Sequence, residues 1–322
     1  MKYLVTGGAG FIGSHLVEKL IELGHEVIIA DDLSTGKLKN LPEERNYKFY
    51  RNVFGDITNY PMLCSKVFKE NRNIDAIFHV AALPRVQFSI INPAETHDAN
   101  INGTFNILMA AKEFNIPRVV FSSSSSVYGT QQKTMLNEGL PPNPMSPYAL
   151  HKLTGEQYCK MFFDLYGLQT VILRYFNVFG IRQDPHSQYS CLIPKSMYLL
   201  MKDEPPVIYG DGEQTRSFNY VSDIVDANLK AANVSNNNKT VFGTPINIGS
   251  STAYSVNQVV TLLKQITGRT HIDPVHTDPV IEAKHTCADN SCAKSLLGWE
   301  PSINFEDGLK ILHKCMLDVQ KT

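Results

Sequence analysis

The opening of the chain runs a short apolar strand straight into a glycine turn and then into a helix, an order that few folds accept. Lys2 to Thr6 (Lys-Tyr-Leu-Val-Thr) reads as a buried strand, Gly7-Gly8-Ala9-Gly10-Phe11-Ile12-Gly13 as the turn, and about Ser14 to Leu23 as an amphipathic helix. Such a turn aims free backbone N–H groups and the positive end of a helix dipole at a diphosphate, and the missing Cβ atoms let phosphate approach. The next apolar run, Val27 to Ala30, ends in Asp31-Asp32, roughly 20 residues past the glycines, where a carboxylate accepts the ribose hydroxyls of an adenosine. A carboxylate at that place repels a 2′-phosphate, so the cofactor expected is NAD rather than NADP. A tight turn between strand and helix explains the glycines alone equally well; the acidic strand end and the pair described next decide for a dinucleotide.

Tyr148 and Lys152 stand four apart in Tyr148-Ala-Leu-His-Lys152, downstream of the hydroxyl run Ser122 to Ser126. On a helix they share a face, which brings the ammonium toward the phenol. A phenol near pKa ~10 is no base at neutral pH, but a neighbouring cation favours the phenolate. The pair therefore reads as a proton acceptor for an alcohol being oxidised. A tyrosine on a helix beside a solvated lysine is the plain alternative, and the dinucleotide turn is what tells against it.

Strands alternate with helices along the chain. Tyr47 to Val53, Ala76 to Val80, Arg118 to Ser122, Gln169 to Tyr175 and Ile246 to Gly249 read as strands, and about Asn59 to Asn71, Ala94 to Phe114 and Pro147 to Tyr166 as helices. This rhythm specifies an α/β fold, a Rossmann-type doubly wound parallel sheet. After Gly180 it breaks: Ile181 to Tyr189 is polar and proline-containing, Cys191 to Met201 is helical, Gly210-Asp-Gly212 is a turn, and Asp223 is expected to N-cap another helix. The expected organisation is a NAD-binding domain of residues 1–180 with about 223–249, and a smaller interleaved substrate lobe of 181–222 and 250–322. With 322 residues and 43% hydrophobic content, both can be buried.

A net charge of −1 offers no field for nucleic acid. No apolar run approaches the ~18 residues of a membrane span, and the chain begins inside its first strand, so a soluble, cytoplasmic protein is expected. The six cysteines lack Cys-x-x-Cys spacing and read as reduced thiols; Cys287, Cys292 and His285 make a poor metal set, and no metal is expected.

Thr6 to Gly13, Asp31-Asp-Leu-Ser-Thr-Gly36, Asp56-Ile57, His79-Val-Ala-Ala82, Ser122 to Gly129, Tyr148-x-x-x-Lys152 and Arg174-Tyr-Phe-Asn-Val-Phe-Gly180 together resemble the extended short-chain dehydrogenase/reductases. Among these the chain is most similar, from Met1 to the final helix, to the UDP-glucose/UDP-N-acetylglucosamine 4-epimerases. The resemblance implies a catalytic trio of Ser124, Tyr148 and Lys152. It implies NAD contacts from Gly7, Gly10, Phe11, Ile12 and Gly13, from Asp31, Asp32, Leu33, Ser34, Thr35 and Gly36, and from Asp56 and Ile57 at the adenine. Val80, Ala81, Ala82 and Pro84 run beside the diphosphate and nicotinamide ribose with Asn100 behind them, joined by Ser122, Tyr148 and Lys152. Phe176 has two readings, closure over the nicotinamide or ordinary core packing. The implied reaction removes the C4 hydroxyl proton at Tyr148 while NAD takes the C4 hydride, then returns the hydride to the other face of a 4-keto sugar.

For the sugar nucleotide, the resemblance implies a UDP-sugar held by Ser123, Ser124, Tyr148, Asn177, Leu192, Ile193, Val207, Tyr209, Arg216 and Thr286. Arg216 matches the arginine that clamps the diphosphate, while the second such arginine is missing from His276 to Lys284, leaving Lys284, His276 or Arg85 as substitutes. Thr286 is small where a bulky tyrosine narrows the pocket of strict glucose/galactose enzymes, which favours acetamido sugars. Asp184 stands where uronic-acid epimerases present arginine, which disfavours uronic acids. Relatives that dehydrate the sugar look like Thr-Asp-Glu at 124 to 126 and decarboxylating relatives carry a glutamate at 126; serine at 125 and 126 here excludes both. A net oxidoreductase, distinguished by a change in nicotinamide absorbance, and a non-catalytic NAD sensor stand as alternatives. The resemblance also implies a homodimer through the helices near 94–114 and 147–166, which a monomer in light scattering would exclude.

Overall fold

The computed structural model describes residues 1–42, 50–185, 191–280 and 282–320. Seven strands, β1 (Lys2–Thr6), β2 (Glu26–Asp31), β3 (Tyr50–Phe54), β4 (Ala76–His79), β5 (Arg118–Ser124), β6 (Gln169–Tyr175) and β7 (Pro245–Ile248), lie in the order β7-β6-β5-β4-β1-β2-β3. Every neighbouring pair is parallel. The first part of the strand reading at Tyr47 lies outside the described residues. β1 is flanked by β2 on one side and β4 on the other, so the winding reverses between them and opens a crevice beyond their C-terminal ends.

Because side chains alternate along a strand, each central strand feeds two cores. Tyr3 and Val5 of β1, with Val27 and Ile29 of β2, join Leu16 and Leu20 of the helix Phe11–Glu22 and Ile224 of the helix Val221–Asn233. Leu4, Ile28 and Ala30 turn the other way, onto Ile107 and Leu108 of the helix Gly103–Glu113 and Phe162 of the helix Pro147–Tyr166. The helix foreseen near 94–114 starts at Pro93 and passes through one wide, π-type stretch, Asp98–Asn102.

A second, smaller sheet is built around Thr215–Tyr220, which pairs in parallel with Asn177–Phe179 and His285–Ala288 and antiparallel with Ala253–Ser255. Phe179, Met197, Phe218, Leu263, Phe305 and Leu309 form its core. The polypeptide thus crosses to this sheet after β6, returns for Val221–Asn233 and β7, and crosses again.

Asp223 is not an N-cap. The helix begins at Val221 directly after the strand ending at Tyr220, which places Asp223 inside the first turn. Its carboxylate accepts from the backbone N–H of Ser302 (3.0 Å) and Ile303 (3.2 Å) and from the Ser302 hydroxyl (2.6 Å), so it ties down the segment leading into the helix Phe305–Gln320. Among the described residues no helix is long and apolar enough to cross a membrane, and no group of three or more His, Cys, Asp or Glu side chains is placed to hold a metal.

Candidate active site

The glycine turn sits at the C-terminal end of β1 with Gly7 at φ +69°, a left-handed conformation that favours glycine. A Cβ on Gly7 would come within 2.7 Å of the Ala81 Cα, and one on Gly13 would run into the Gly7 carbonyl. The turn is therefore packed backbone to backbone against the loop after β4 and against its own helix. Two hydrogen-bonded devices hold the walls. The Asp31 carboxylate accepts from the N–H of Ala9 (2.9 Å) and of Leu33 (2.8 Å), fixing the glycine turn to the end of β2. His79 bridges the hydroxyls of Thr6 (2.8 Å) and Thr104 (2.9 Å), and burial keeps it neutral with its pKa down to about 3. Asn100 clamps Leu83 through both the N–H (2.8 Å) and the carbonyl (3.1 Å).

Between these walls lies an open cleft of about 400 Å³. Gly7, Gly10, Phe11, Ile12, Gly13, Asp31, Asp32, Ser34, Thr35, Asp56, Ile57, Val80, Ala81, Ala82 and Pro84 all line it. Gly55, Thr58, Glu95, Asp98, Val178, Gln183 and Cys191 line it as well and were not anticipated. Only Gly55 carried a signal, as the neighbour of Asp56; the others come from elements whose approach is a matter of tertiary structure. Leu33, Gly36 and Asn100 shape the walls without lining them.

Outside the residues that line the cleft, Ser146 N-caps the helix Pro147–Tyr166, accepting from the Ala149 N–H at 3.2 Å, and Pro147 follows in the first turn, where its missing N–H costs nothing. Tyr148 is thereby presented on the first turn, its own N–H bonded to the Ser89 hydroxyl at 3.1 Å. Burial pushes its phenol up to about 12, while a hydrogen bond with Ser124 and the charge of Arg85 pull it down. Lys152 is lowered to about 8, first by burial, with Cys159 and Glu156 acting against that. Its ammonium donates to the Ser122 carbonyl at 2.8 Å and stands 5.9 Å from the Tyr148 ring centre. The helix brings the two to one face, with the ammonium also held by the strand backbone.

Several substrate and cofactor assignments are also corrected. Strand alternation turns Ser123 away from the cleft into the catalytic helix, where its hydroxyl donates to Glu156 at 2.5 Å. The Ser122 hydroxyl bonds Tyr175 at 3.0 Å inside the core, so only its carbonyl faces Lys152. Phe176 is 1% exposed and packs with Val127, Tyr128, Leu136 and Ala288, which is the core reading. Ile193, likewise 1% exposed, belongs to the core of the smaller sheet rather than to a ligand wall, whereas Leu192 beside it is half-buried.

Val207 and Tyr209 lie on a strand paired with Val275–Thr277, with Tyr209 exposed. Asn177 is half-buried and donates to the Ser217 carbonyl at 3.4 Å. Thr286 is buried beside Arg216 in the register of the smaller sheet, and its hydroxyl finds no partner among the described residues. The Arg216 guanidinium donates to the carbonyls of Thr215 and Lys284 and pairs with Glu282 at 2.9 Å. Asp184 pairs with Lys37 at 2.5 Å, on the side of the Asp31-Asp32 loop, so its charge is matched there and no longer argues against a uronic acid.

A profile described as the NAD dependent epimerase/dehydratase family matches residues 3–249. The chain belongs to that family. Its cofactor is NAD, and the cradle that a Cβ would fill at Gly7 and Gly13 fits a diphosphate. The family member described as a putative UDP-glucose 4-epimerase of Methanocaldococcus jannaschii is 38% identical, with 99% of each chain covered. A UDP-glucuronate 4-epimerase of Thermodesulfobacterium geofontis is 34% identical over 96% of this chain and 94% of its own. Among solved structures, UDP-glucose 4-epimerase of Thermotoga maritima with UDP-glucose superposes with a TM-score of 0.92 at 36% identity, covering 99% of this chain and all of its own. UDP-N-acetylglucosamine 4-epimerase of Methanobrevibacter ruminantium in complex with UDP-N-acetylmuramic acid gives 0.91 at 36%, covering 99% and 98%.

Gly13→Ala is expected to abolish stoichiometric NAD binding, measured by nucleotide released on denaturation, because its methyl group would displace the Gly7 carbonyl and open the turn. NAD content equal to wild type would refute that geometry.

Proposed function

We propose that the chain is a UDP-sugar 4-epimerase that interconverts the C4 epimers of UDP-glucose and UDP-N-acetylglucosamine with tightly bound NAD. The observation that carries this reading is the gathering of Ser124, Tyr148 and Lys152 at one place: Ser124 lies near enough to the phenol to pull its pKa down, and Lys152, held by the Ser122 carbonyl, stands 5.9 Å from the phenol ring centre. Bound NAD supplies hydride acceptance and return at C4. Tyr148 takes the proton of the C4 hydroxyl, and Ser124 holds that oxygen and the phenol at hydrogen-bond reach. Lys152, fixed by the Ser122 carbonyl, keeps a cation beneath the ring. Arg216 recognises the diphosphate once Glu282 gives way, since a guanidinium fork matches phosphate oxygens. Residues 181–222 and 250–322 form the lobe that carries the sugar nucleotide. The small Thr286 supports acceptance of an acetamido group, and with Asp184 paired elsewhere a uronic acid stands as a second candidate. The chain acts as a homodimer through the faces carrying the exposed Leu150 and Met161.

Incubating the purified protein with UDP-glucose, UDP-N-acetylglucosamine and UDP-glucuronic acid in turn, and reading the anomeric proton signals, tests the proposal. C4 epimers of the neutral sugars with no net change in nicotinamide absorbance support it. Conversion of the acid alone would replace the substrate assignment, and net reduction or oxidation would replace the reaction.

A further inference from the structure

We propose that Glu282 is an internal competitor for the diphosphate: its carboxylate occupies the Arg216 guanidinium in the free protein and thereby sets how tightly the sugar nucleotide binds. The inference deepens the reading of Arg216 as the residue that recognises the diphosphate, and rests on it.

Arg216 is oriented by backbone. It lies on the strand Thr215–Tyr220, in register with Thr286 of the parallel strand His285–Ala288. Its Nη1 donates to the carbonyls of Thr215 at 2.8 Å and Lys284 at 3.0 Å, which fixes the guanidinium. Nη2 is left for another acceptor, and Glu282 Oε2 meets it at 2.9 Å. A carboxylate and a phosphate offer a guanidinium the same kind of anionic oxygen, so one excludes the other from the same donor. In-register residues of parallel strands share a face, so the Thr286 side chain stands on the side of Arg216. Its hydroxyl is buried and bonds nothing among the described residues, a polar group that a polar ligand at Arg216 would complete.

The two partners are unequally committed. The Arg216 side chain is 12% exposed and that of Glu282 39%. A largely buried guanidinium needs an anion beside it, whereas a carboxylate that reaches it from the solvent side can return to water. Glu282 is tethered to the site at both ends of its connection. Val275–Thr277 before it pairs with Val207–Tyr209, and His285–Ala288 after it pairs with the strand of Arg216 itself.

The neighbouring charges are engaged elsewhere. The Lys284 ammonium stands 3.8 Å from the Asp211 carboxylate, which also accepts from the Glu213 N–H at 2.9 Å. Glu213 in turn accepts from Asn257 at 2.7 Å, and His276 bonds the Gly210 carbonyl at 2.8 Å. Glu282 is the one ion-pair partner of Arg216 among the described residues. Apparent affinity for a diphosphate is then the intrinsic affinity multiplied by the fraction of molecules in which Arg216 is free.

The test titrates UDP calorimetrically into the NAD-loaded protein, as wild type, Glu282→Gln, Arg216→Met and the double variant. Glutamine keeps the shape of the side chain and removes its charge, so Glu282→Gln should bind UDP about tenfold more tightly, the scale of one hydrogen bond to a charged group. KM for the sugar nucleotide that turns over should fall with it. Arg216→Met should weaken UDP binding, and in that background Glu282→Gln should bring no gain, since no guanidinium remains to be released. Unchanged or weaker UDP binding in Glu282→Gln, with Arg216→Met still weakened, overturns the proposal alone and makes Glu282 a mere support for Arg216. A gain that persists in full in the double variant also overturns it, because the carboxylate then acts as a diffuse charge and not as an occupant. Failure of the underlying reading looks different: Arg216→Met would itself bind UDP as wild type does.

Discussion

Tyr148→Phe is expected to lower kcat by about 10²- to 10⁴-fold, the range that a positioned acid–base group supplies, with KM little changed and NAD still bound. The phenol lies where Ser124 and the charge of Arg85 both lower its pKa against the effect of burial. The substitution removes one oxygen and no ring, so the packing around a side chain that is 8% exposed is preserved. Ser124 keeps a partner, since its hydroxyl also accepts from the Ser126 N–H at 3.2 Å. Thermal unfolding should therefore move little while turnover collapses, and that split marks a chemical rather than a structural role. The direction with pH follows from burial. A phenol lifted to about 12 must be ionised to work, so wild-type kcat/KM rises with pH until the phenolate is formed, and this limb is absent from whatever activity the variant retains. Turnover within tenfold of wild type would remove Tyr148 from the mechanism.

The glycine turn and the acidic strand end were legible because both are local. The conformation of Gly7 and the reach of Asp31 to Ala9 are set within thirty-odd residues of chain, and helix spacing places Tyr148 and Lys152 on one face whatever surrounds them. What the lysine does on that face was not legible, because its partner is a backbone carbonyl, Ser122, that the sheet brings beneath the helix. Arg85 and Arg216 show the same limit from two sides. Neither the thiol that meets Arg85, 106 residues away, nor the Glu282 that meets Arg216 leaves any periodic trace. Asp223 misled for a local reason: an acidic residue near a helix start looks like a cap, but the strand ending at Tyr220 had already set the helix one turn earlier. The substrate contact that the resemblance implied for Ser123 is not made, because strand alternation sends its hydroxyl to Glu156.

Glu156→Ala is expected to lose about 3–5 kcal/mol of stability, because it strands a charge that cannot be neutralised. Glu156 and Arg174 have side chains only 3% and 4% exposed, and they meet in a two-pronged contact, Nε to Oε1 at 2.8 Å and Nη2 to Oε2 at 2.6 Å. Burial alone lowers the guanidinium pKa, yet the bonded carboxylate raises it overall, so the arginine is charged where it lies. Glu156 also receives the Ser123 hydroxyl, one residue before Ser124, and its charge raises the pKa of Lys152, one turn earlier on the helix. The pair therefore couples the fold to the geometry of the site. Chemical denaturation of the NAD-free protein, which avoids stabilisation by bound ligand, measures the loss directly. Glu156→Leu combined with Arg174→Met provides the decisive contrast. An apolar pair of similar volume needs no counter-ion, so the double variant should recover most of the stability lost by the single one. Its activity should stay low, since Ser123 then loses its acceptor beside Ser124 and Lys152 loses a charge that favours its ammonium form. A single variant within about 1 kcal/mol of wild type would mean that water reaches the pair, and the desolvated interior assigned to this end of the sheet would have to be abandoned.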